Sequence, residues 1–213
     1  SWYVREVTYY FPASLRSVVI NAGEITEFAF YNCSMLTTIV LPEGCTELDE
    51  AFAGCSGLTS ITIPESVTDI SAHAFDGCSA LESITVAEGN PVYHSEGNCL
   101  IETESKELIR GCKNSVIPTD GSVERIGYSA FDECTGLTSI TIPESVMLIE
   151  RNAFWHCTGL TSVIFEQPEG WYFTSSSTAT SGEDIPTGTL ADPALAAEAL
   201  VSTYYNKYLH RRA

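Results

Sequence analysis

Eight cysteines and four histidines are the side chains of this 213-residue chain that could bind a metal, form disulfides or act in catalysis. No two cysteines have the two-to-four-residue separation of a zinc knuckle. The chain contains no HExxH sequence, no nucleophile elbow and no phosphate-binding loop. We therefore predict no catalytic residues, no metal site and no cofactor. The histidines lie far apart and share no motif: they are His73, His94, His156 and His210.

Six of the cysteines recur at one phase of a repeat, at intervals of about 22 residues or, across an insertion, about 34. They are Cys33, Cys55, Cys78, Cys112, Cys134 and Cys157. Side chains at one phase point the same way, and parallel thiols bridge poorly. We predict buried free thiols that act as small hydrophobes. Cys45 agrees, because the neighbouring repeats carry Val67 and Val146 at its position, whereas Cys99 is out of phase and could behave differently.

The element that must position these residues is the repeat itself. CSGLTSITIPESVTDISAHAFDGC, from Cys55 to Cys78, returns as CTGLTSITIPESVMLIERNAFWHC from Cys134 to Cys157. A fixed period of this length is typical of a solenoid, in which each short unit stacks on copies of itself. We predict a right-handed leucine-rich-repeat superhelix with short parallel strands, short helical turns and a C-terminal capping helix.

Each unit contains one clear strand signal. Ile61 and Ile63 are two residues apart and share the face of a strand that we expect to be buried, while Ser60 and Thr62 point the other way. Pro64 cannot donate to a ladder and ends the strand.

Three regions follow from this pattern: an aromatic N-terminal cap at residues 1–13, the solenoid at 14–165, and a C-terminal cap at 166–213. The solenoid carries an insertion at about residues 89–112, which we interpret as a hairpin or an enlarged coil. The C-terminal cap combines a Ser/Thr-rich loop with a helix.

The helix signals of the C-terminal cap are local. Asp192 is a good N-cap and Pro193 suits the first helical position. The residues expected to form its apolar stripe are Leu195, Ala199, Leu200, Tyr204 and Tyr208. His210, Arg211 and Arg212 would lie at the negative end of the helix dipole.

The outward rows of the strands are the first candidate binding surface, because leucine-rich solenoids usually bind on this wide, loop-free face. The alternative is that these rows only reflect β-propensity at solvated positions. The candidate residues are Ser60, Thr62, Ser83, Thr85, Ser139 and Thr141.

An acidic column, formed by Glu43, Glu65, Glu88 and Glu144, shares the position after the strand. Calcium prefers such oxygen ligands but needs six to eight of them, and no dense Asp/Asn/Gly loop supplies the rest. We interpret the column as a solvated face.

Trp155 and Trp171 are the aromatic candidates for contact with a partner or a glycan. Trp155 stands where neighbouring units have Asp76 and Asp132, so we expect its ring to be partly exposed. The alternative is that the C-terminal tail folds back over both tryptophans.

The net charge of −18 argues against nucleic acid and against an anionic membrane surface as partners. No apolar run is long enough to cross a bilayer. The chain begins Ser-Trp-Tyr-Val without Met or a basic, apolar leader, which fits a processed or trimmed chain from which any export signal would already be gone.

The phrase G-L-T-S-I-T-I-P-E-S-V-x-x-I-x-x-x-A-F-x-x-C closely resembles the BspA-type leucine-rich repeat of bacterial surface proteins. The inserted segment from NPVY to LIRG and the tail from Gly170 are similar to parts of such proteins in gut bacteria. The resemblance implies an extracellular or surface location and no shared catalytic residues. It also implies adhesion to protein ligands, such as host matrix components. We expect a monomer that binds protein; the alternatives are a structural spacer and a carbohydrate-binding module.

Overall fold

The alternation of apolar and hydroxyl side chains becomes short strands stacked into a solenoid of about six turns in the computed structural model, which describes residues 14–212. The predicted leucine-rich-repeat solenoid, with its short C-terminal helix, is confirmed. The cap predicted for residues 1–13 lies outside the described residues.

Sixteen short strands and two short helices make up the regular structure of residues 14–212. The strands are β1 (Ser17–Val19), β2 (Thr38–Val40), β3 (Glu47–Leu48), β4 (Ser60–Ile63), β5 (Asp69–Ile70), β6 (Ser83–Val86), β7 (Tyr93–Glu96), β8 (Cys99–Glu102), β9 (Glu107–Arg110), β10 (Arg125–Ile126), β11 (Ser139–Ile142), β12 (Leu148–Ile149), β13 (Ser162–Phe165), β14 (Trp171–Thr174), β15 (Glu183–Asp184) and β16 (Tyr208–Arg211). The helices are α1 (Thr187–Ala191) and α2 (Pro193–Glu198), and a π-helical turn (Ala199–Thr203) continues α2.

The first strand of each repeat builds a parallel sheet along the solenoid. Its order is β1-β2-β4-β6, and β11-β13 continue the row beyond the insertion. Ile61 pairs with Ile84 and Ile140 with Val163, all of them buried. Stacking in register therefore shields each apolar pair by the pairs in adjacent coils.

The second half of each coil contributes two-residue strands and an aromatic ladder. Strand β3 pairs with β5, and β9, β10 and β12 form a second parallel run. Phe52 stacks between Phe30 and Phe75 at centroid distances of 5.7 and 5.8 Å. Phe131 and Phe154 stack in the same way at 5.0 Å. The ladder is interrupted between Phe75 and Phe131, where the insertion lies.

The insertion forms an antiparallel meander of β7, β8 and β9, and β9 then joins the parallel run through β10. Strand β8 is buried on both faces. Leu100 packs into the N-terminal half of the core, whereas Cys99 and Ile101 pack into the C-terminal half. The meander therefore lies at the junction between two stacked blocks of repeats. We call this junction the seam.

The end of the chain differs from the predicted helix. Helical structure stops at Thr203, and Tyr208, His210 and Arg211 lie in strand β16. The expectation that Tyr208 continues a helical stripe and that His210, Arg211 and Arg212 sit at a helix end is wrong. Strand β16 pairs antiparallel with both β12 and β14. The physical reason is that the last coil would otherwise expose an unpaired strand edge.

The start of the predicted helix is correct, and its predicted apolar stripe is correct in part. The Asp192 side chain accepts hydrogen bonds from the N–H groups of Ala194 and Leu195, as an N-cap does. Leu195 is 48% exposed, so its expected place in the stripe is wrong. The helix buries Ala196 and Ala197 against the last coil. Ala199 and Leu200, which belong to the predicted stripe, are buried in the π-helical turn that follows.

Candidate binding face

The outward side chains of the parallel strands form two regular rows, which together we call the outer sheet face. Ser60 pairs in register with Ser83, and Thr62 with Thr85. The Oγ1 atoms of Thr62 and Thr85 are 3.0 Å apart, within hydrogen-bond distance. Both threonines are exposed. The structure therefore brings these four candidates together on one solvated surface.

The other two candidates lie beyond the seam. Ser139 pairs with Ser162, and Thr141 with Ile164, in the separate two-stranded sheet β11-β13. Between the two sheets the coil at residues 115–118 is shortened and forms no strand. Its burial pattern still matches that of residues 61–64, with only the second residue exposed. That residue is Val116, which stands where Thr62 stands in its own coil.

The row that contains Thr62 is aliphatic at several positions, which sequence reasoning underrated. Val19 pairs with Val40 in register. Val19, Val40, Val116 and Ile164 are 63%, 55%, 69% and 51% exposed. Of the ten large exposed apolar side chains in residues 14–212, these four lie in this one row. We call the row Val19, Val40, Thr62, Thr85, Val116, Thr141 and Ile164 the β-branched row. An uncovered sheet face of this kind is available to a partner.

The acidic column borders this face. Glu43 and Glu65 line a shallow groove of about 510 Å³ together with Ser66, Thr68, Gly89 and Pro91. Glu166, which extends the column, accepts a hydrogen bond at Oε2 from the main-chain N–H of Glu144 at 3.0 Å. The Glu166 carboxylate thus reaches along the solenoid axis to the preceding coil.

No group of three or more His, Cys, Asp and Glu side chains that could hold a metal ion occurs within residues 14–212. The carboxylates of the acidic column are spaced one per coil. We therefore assign no cation to them.

The cysteines lie inside the coils, where their thiols contact main-chain carbonyl groups. All eight are buried and free. The Sγ atoms of Cys55 and Cys157 donate to the oxygens of Phe30 and Phe131, at 3.1 and 3.0 Å. Burial raises the pKa of Cys78 to about 12 and that of Cys134 to about 11. Cys99, although out of phase, is buried with a pKa raised to about 12 by the same cause.

Sequence reasoning missed a buried charge cluster at the seam. Arg110 is only 2% exposed, and its guanidinium donates to the main-chain oxygens of Ser129 and Asp132 at 3.2 and 2.9 Å. Asp76 Oδ1 lies 4.0 Å from Arg110 Nη1. Burial is the largest cause that raises the pKa of Asp132 to about 6, and the negative charge of Asp76 is the next. The positive charge of Arg110 opposes this rise. The sequence does contain a signal of this cluster in its spacing. Asp76, Arg110 and Asp132 each stand two residues before one of the six in-phase cysteines.

The two tryptophan candidates have different outcomes. Trp155 is 37% exposed and stacks on His156 at a centroid distance of 3.9 Å. Trp171 is 1% exposed, packs edge-on against Phe165, and donates from Nε1 to the main-chain oxygen of Gln167. The proposal that Trp171 offers its ring to a ligand is wrong, because β14 folds back over the last coil and buries it.

The histidines do not assemble into one site. His73 Nδ1 lies 2.7 Å from Asp76 Oδ2, and the His73 ring meets Tyr128 edge-on. His94 contacts Thr103, and His210 stacks on Tyr172. The His73–Asp76 contact lies within one turn, and the others join His73, His94 and His210 to side chains from other turns or strands.

A family model described as the BspA-type leucine-rich repeat region matches the chain in six copies, over residues 4–120 and 105–178. The chain belongs to the BspA-type leucine-rich repeat family. The resemblance inferred from the repeat phrase is thereby confirmed.

Solved structures of leucine-rich repeat proteins resemble this BspA-type chain. A leucine-rich cell surface protein from Faecalibacterium prausnitzii A2-165 is 34% identical, with a TM-score of 0.59, over 70% of this chain and 41% of that protein. The pneumococcal vaccine antigen PcpA is 21% identical, with a TM-score of 0.62, over 70% of this chain and 39% of its own; this likeness shows the fold alone. The BspA-type chain thus spans about two fifths of the length of these relatives. No curated protein matches it significantly.

The BspA-type chain described over residues 14–212 has no helix with the length and apolar character needed to cross a bilayer. Of the two similar structures, the Faecalibacterium prausnitzii protein is described as a cell surface protein.

Proposed function

We propose that this chain is a non-catalytic protein-binding module of a secreted or surface-displayed bacterial protein, and that it binds through the outer sheet face. The observation that carries the proposal is the β-branched row. Four large aliphatic side chains are more than half exposed in one line, which runs along both parallel sheets and the coil between them and is not covered by any other described element. Such an uncovered aliphatic surface is available to a partner, and a binding role accounts for its extent.

The family and the related cell surface protein support this proposal, because repeat scaffolds of this kind present extended faces to partners. Adhesion to host matrix proteins is the specific form that we propose. The second outward row, which contains Ser60, Ser83 and Ser139, lies beside the β-branched row. Its hydroxyl groups can donate hydrogen bonds to a partner's backbone and accept them from it.

The test replaces Ser60, Thr62, Ser139 and Thr141 with Lys and measures capture by immobilised matrix proteins. We expect capture to fall at least tenfold while the circular dichroism spectrum stays unchanged. The matched control places four lysines at Ser34, Ser56, Thr135 and Thr158. These exposed residues follow a ladder cysteine directly, at the position where Lys113 occurs naturally. Equal capture by wild type and the outer-face variant would remove this face from consideration.

Glycan binding and a spacer role are the two other functions, and a glycan array run beside the matrix-protein assay separates them. Trp155 favours glycan contact, because more than a third of its surface is exposed beside His156. A glycan array probed with wild type and Trp155→Ala tests this function directly. Silence on both matrix proteins and glycans would instead support a spacer that displays another part of a longer protein.

A further inference from the structure

The β-branched row and the acidic column run parallel because their spacing along the chain is fixed. Glu43, Glu65, Glu88 and Glu144 each follow a member of the row by three residues, and Glu166 follows Ile164 by two. Three residues of extended chain span at most about 10 Å. Adjacent coils lie about 4.8 Å apart, so both lines advance together along the solenoid.

The carboxylates of this column have no cationic partner within residues 14–212. The ion pairs of this region occur elsewhere: Lys113 pairs with Glu82, Lys106 with Glu124, Arg125 with Glu107 and Glu150, and Arg212 with Asp184. Arg110 is buried at the seam. No ion pair among the described residues therefore compensates the negative charge that borders the outer sheet face.

The column acts as one field rather than as isolated charges. Glu166 Oε2 reaches the N–H of Glu144, and Glu65 Oε1 lies 3.1 Å from where a Cβ on Gly89 of the next coil would stand. Charges about 5 Å apart lie within one Debye length at physiological salt. Such a line of like charges raises the local concentration of cations and of cationic segments.

From this placement we infer that the outer sheet face binds a lysine- or arginine-rich segment of a partner protein. The apolar stems of these side chains lie over Val40, Thr62 and Thr85, while their charged heads reach Glu43, Glu65 and Glu88. A neutral or acidic segment would cover the same aliphatic surface without this pairing. The inference rests on the proposed function and names the chemistry of its partner.

The experiment uses the chain with three 12-residue peptide probes that carry the same N-terminal fluorescent label: alternating Lys and Ser, the same peptide with Glu in place of Lys, and Ser alone. The column variant is Glu43→Gln, Glu65→Gln, Glu88→Gln. Its matched control is Glu27→Gln, Glu169→Gln, Glu198→Gln, which removes the same charge from exposed positions outside the column. Affinity is measured by fluorescence anisotropy at 50 and 300 mM NaCl.

We expect the lysine peptide to bind wild type at least tenfold more tightly than the other two peptides, and to lose at least tenfold in affinity at the higher salt. The column variant should lose at least tenfold and the control less than twofold. Equal losses of affinity in the two triple variants would show that only the net charge of the chain matters, and would overturn the inference. Equal affinity for all three peptides would also overturn it.

A second arm separates this inference from the proposed function. Matrix-protein capture that is lost in the outer-face lysine variant, but unchanged in the column variant, overturns the cationic partner and leaves the binding face intact. Capture unchanged in both variants overturns both proposals.

Discussion

Arg110 Nη2 donates a 2.9 Å hydrogen bond to the main-chain oxygen of Asp132 in the following coil. This contact fixes the inserted meander against the C-terminal block of repeats. The same guanidinium faces Asp76 in the N-terminal block, and the Arg110 side chain is 2% exposed. One arginine therefore joins the two halves of the solenoid at the point where the aromatic ladder stops.

Acidification should stabilise the protein through Asp132. Its pKa is about 6 in the folded chain and 3.8 ordinarily, so the folded state binds the proton more tightly. The resulting stability is fully present below pH 3.8 and is lost as pH rises through 6. Between pH 4.5 and 7.5 this group should change the free energy of unfolding by about 2 kcal/mol. Urea denaturation of Asp132→Asn should show a flatter pH profile, while Asp49→Asn, at an exposed position, should follow wild type.

Removing the guanidinium should be more costly than removing the carboxylate. Arg110→Met deletes two hydrogen bonds to main-chain oxygens and leaves Asp132 buried without a counter-charge. We expect a loss of about 3–5 kcal/mol in the free energy of unfolding at pH 7.5. The double variant Arg110→Met, Asp132→Asn should lose less than the sum of the single losses. An additive result in this double-mutant cycle would contradict electrostatic coupling between the two residues.

The seam should not accept a methyl group at Gly111. A Cβ at that position would lie 2.0 Å from Cε1 of Phe131, a ring that is itself fully buried. Gly111→Ala should therefore destabilise the protein by about 1–3 kcal/mol through overpacking. Gly44→Ala is the matched control, because nothing lies within 4 Å of its Cβ. Equal melting temperatures for the two variants would show that the ring has room to move.

The cysteines should be unreactive until the chain unfolds. All eight are buried and free, and the pKa values of the ladder thiols are raised by burial. At pH 7.5 an alkylating reagent should label the native chain at fewer than about one site per molecule. The urea-unfolded chain should take up eight labels. Ser56→Cys, at an exposed position, should add one rapid label. For the wild-type chain, a lower intact mass without reductant than with it would contradict the prediction, because it would reveal a disulfide.

The local spacing of the sequence is sufficient to predict the inward and outward sides of the repeats. In Ser60–Ile63, residues two apart share a strand face, so the isoleucines are buried and the hydroxyl side chains solvated. The six in-phase cysteines follow from the repeat period and the Asp192 N-cap from neighbouring residues, and the structure agrees with both.

Contacts distant in sequence are decided only by the tertiary structure. Arg110 is charged and would be expected in solvent, yet stacking the insertion on the next coil buries it against Asp132. Tyr208 and His210 carry helix-compatible local signals, but they pair as part of strand β16, His210 with β12 and Tyr208 with β14. Trp171 is buried for the same reason, because β14 pairs with β16. In each case the free energy gained by pairing an open strand edge or by filling the seam exceeds the local preference of the residue. A short stretch of sequence contains neither the edge nor the seam, so it cannot predict the outcome.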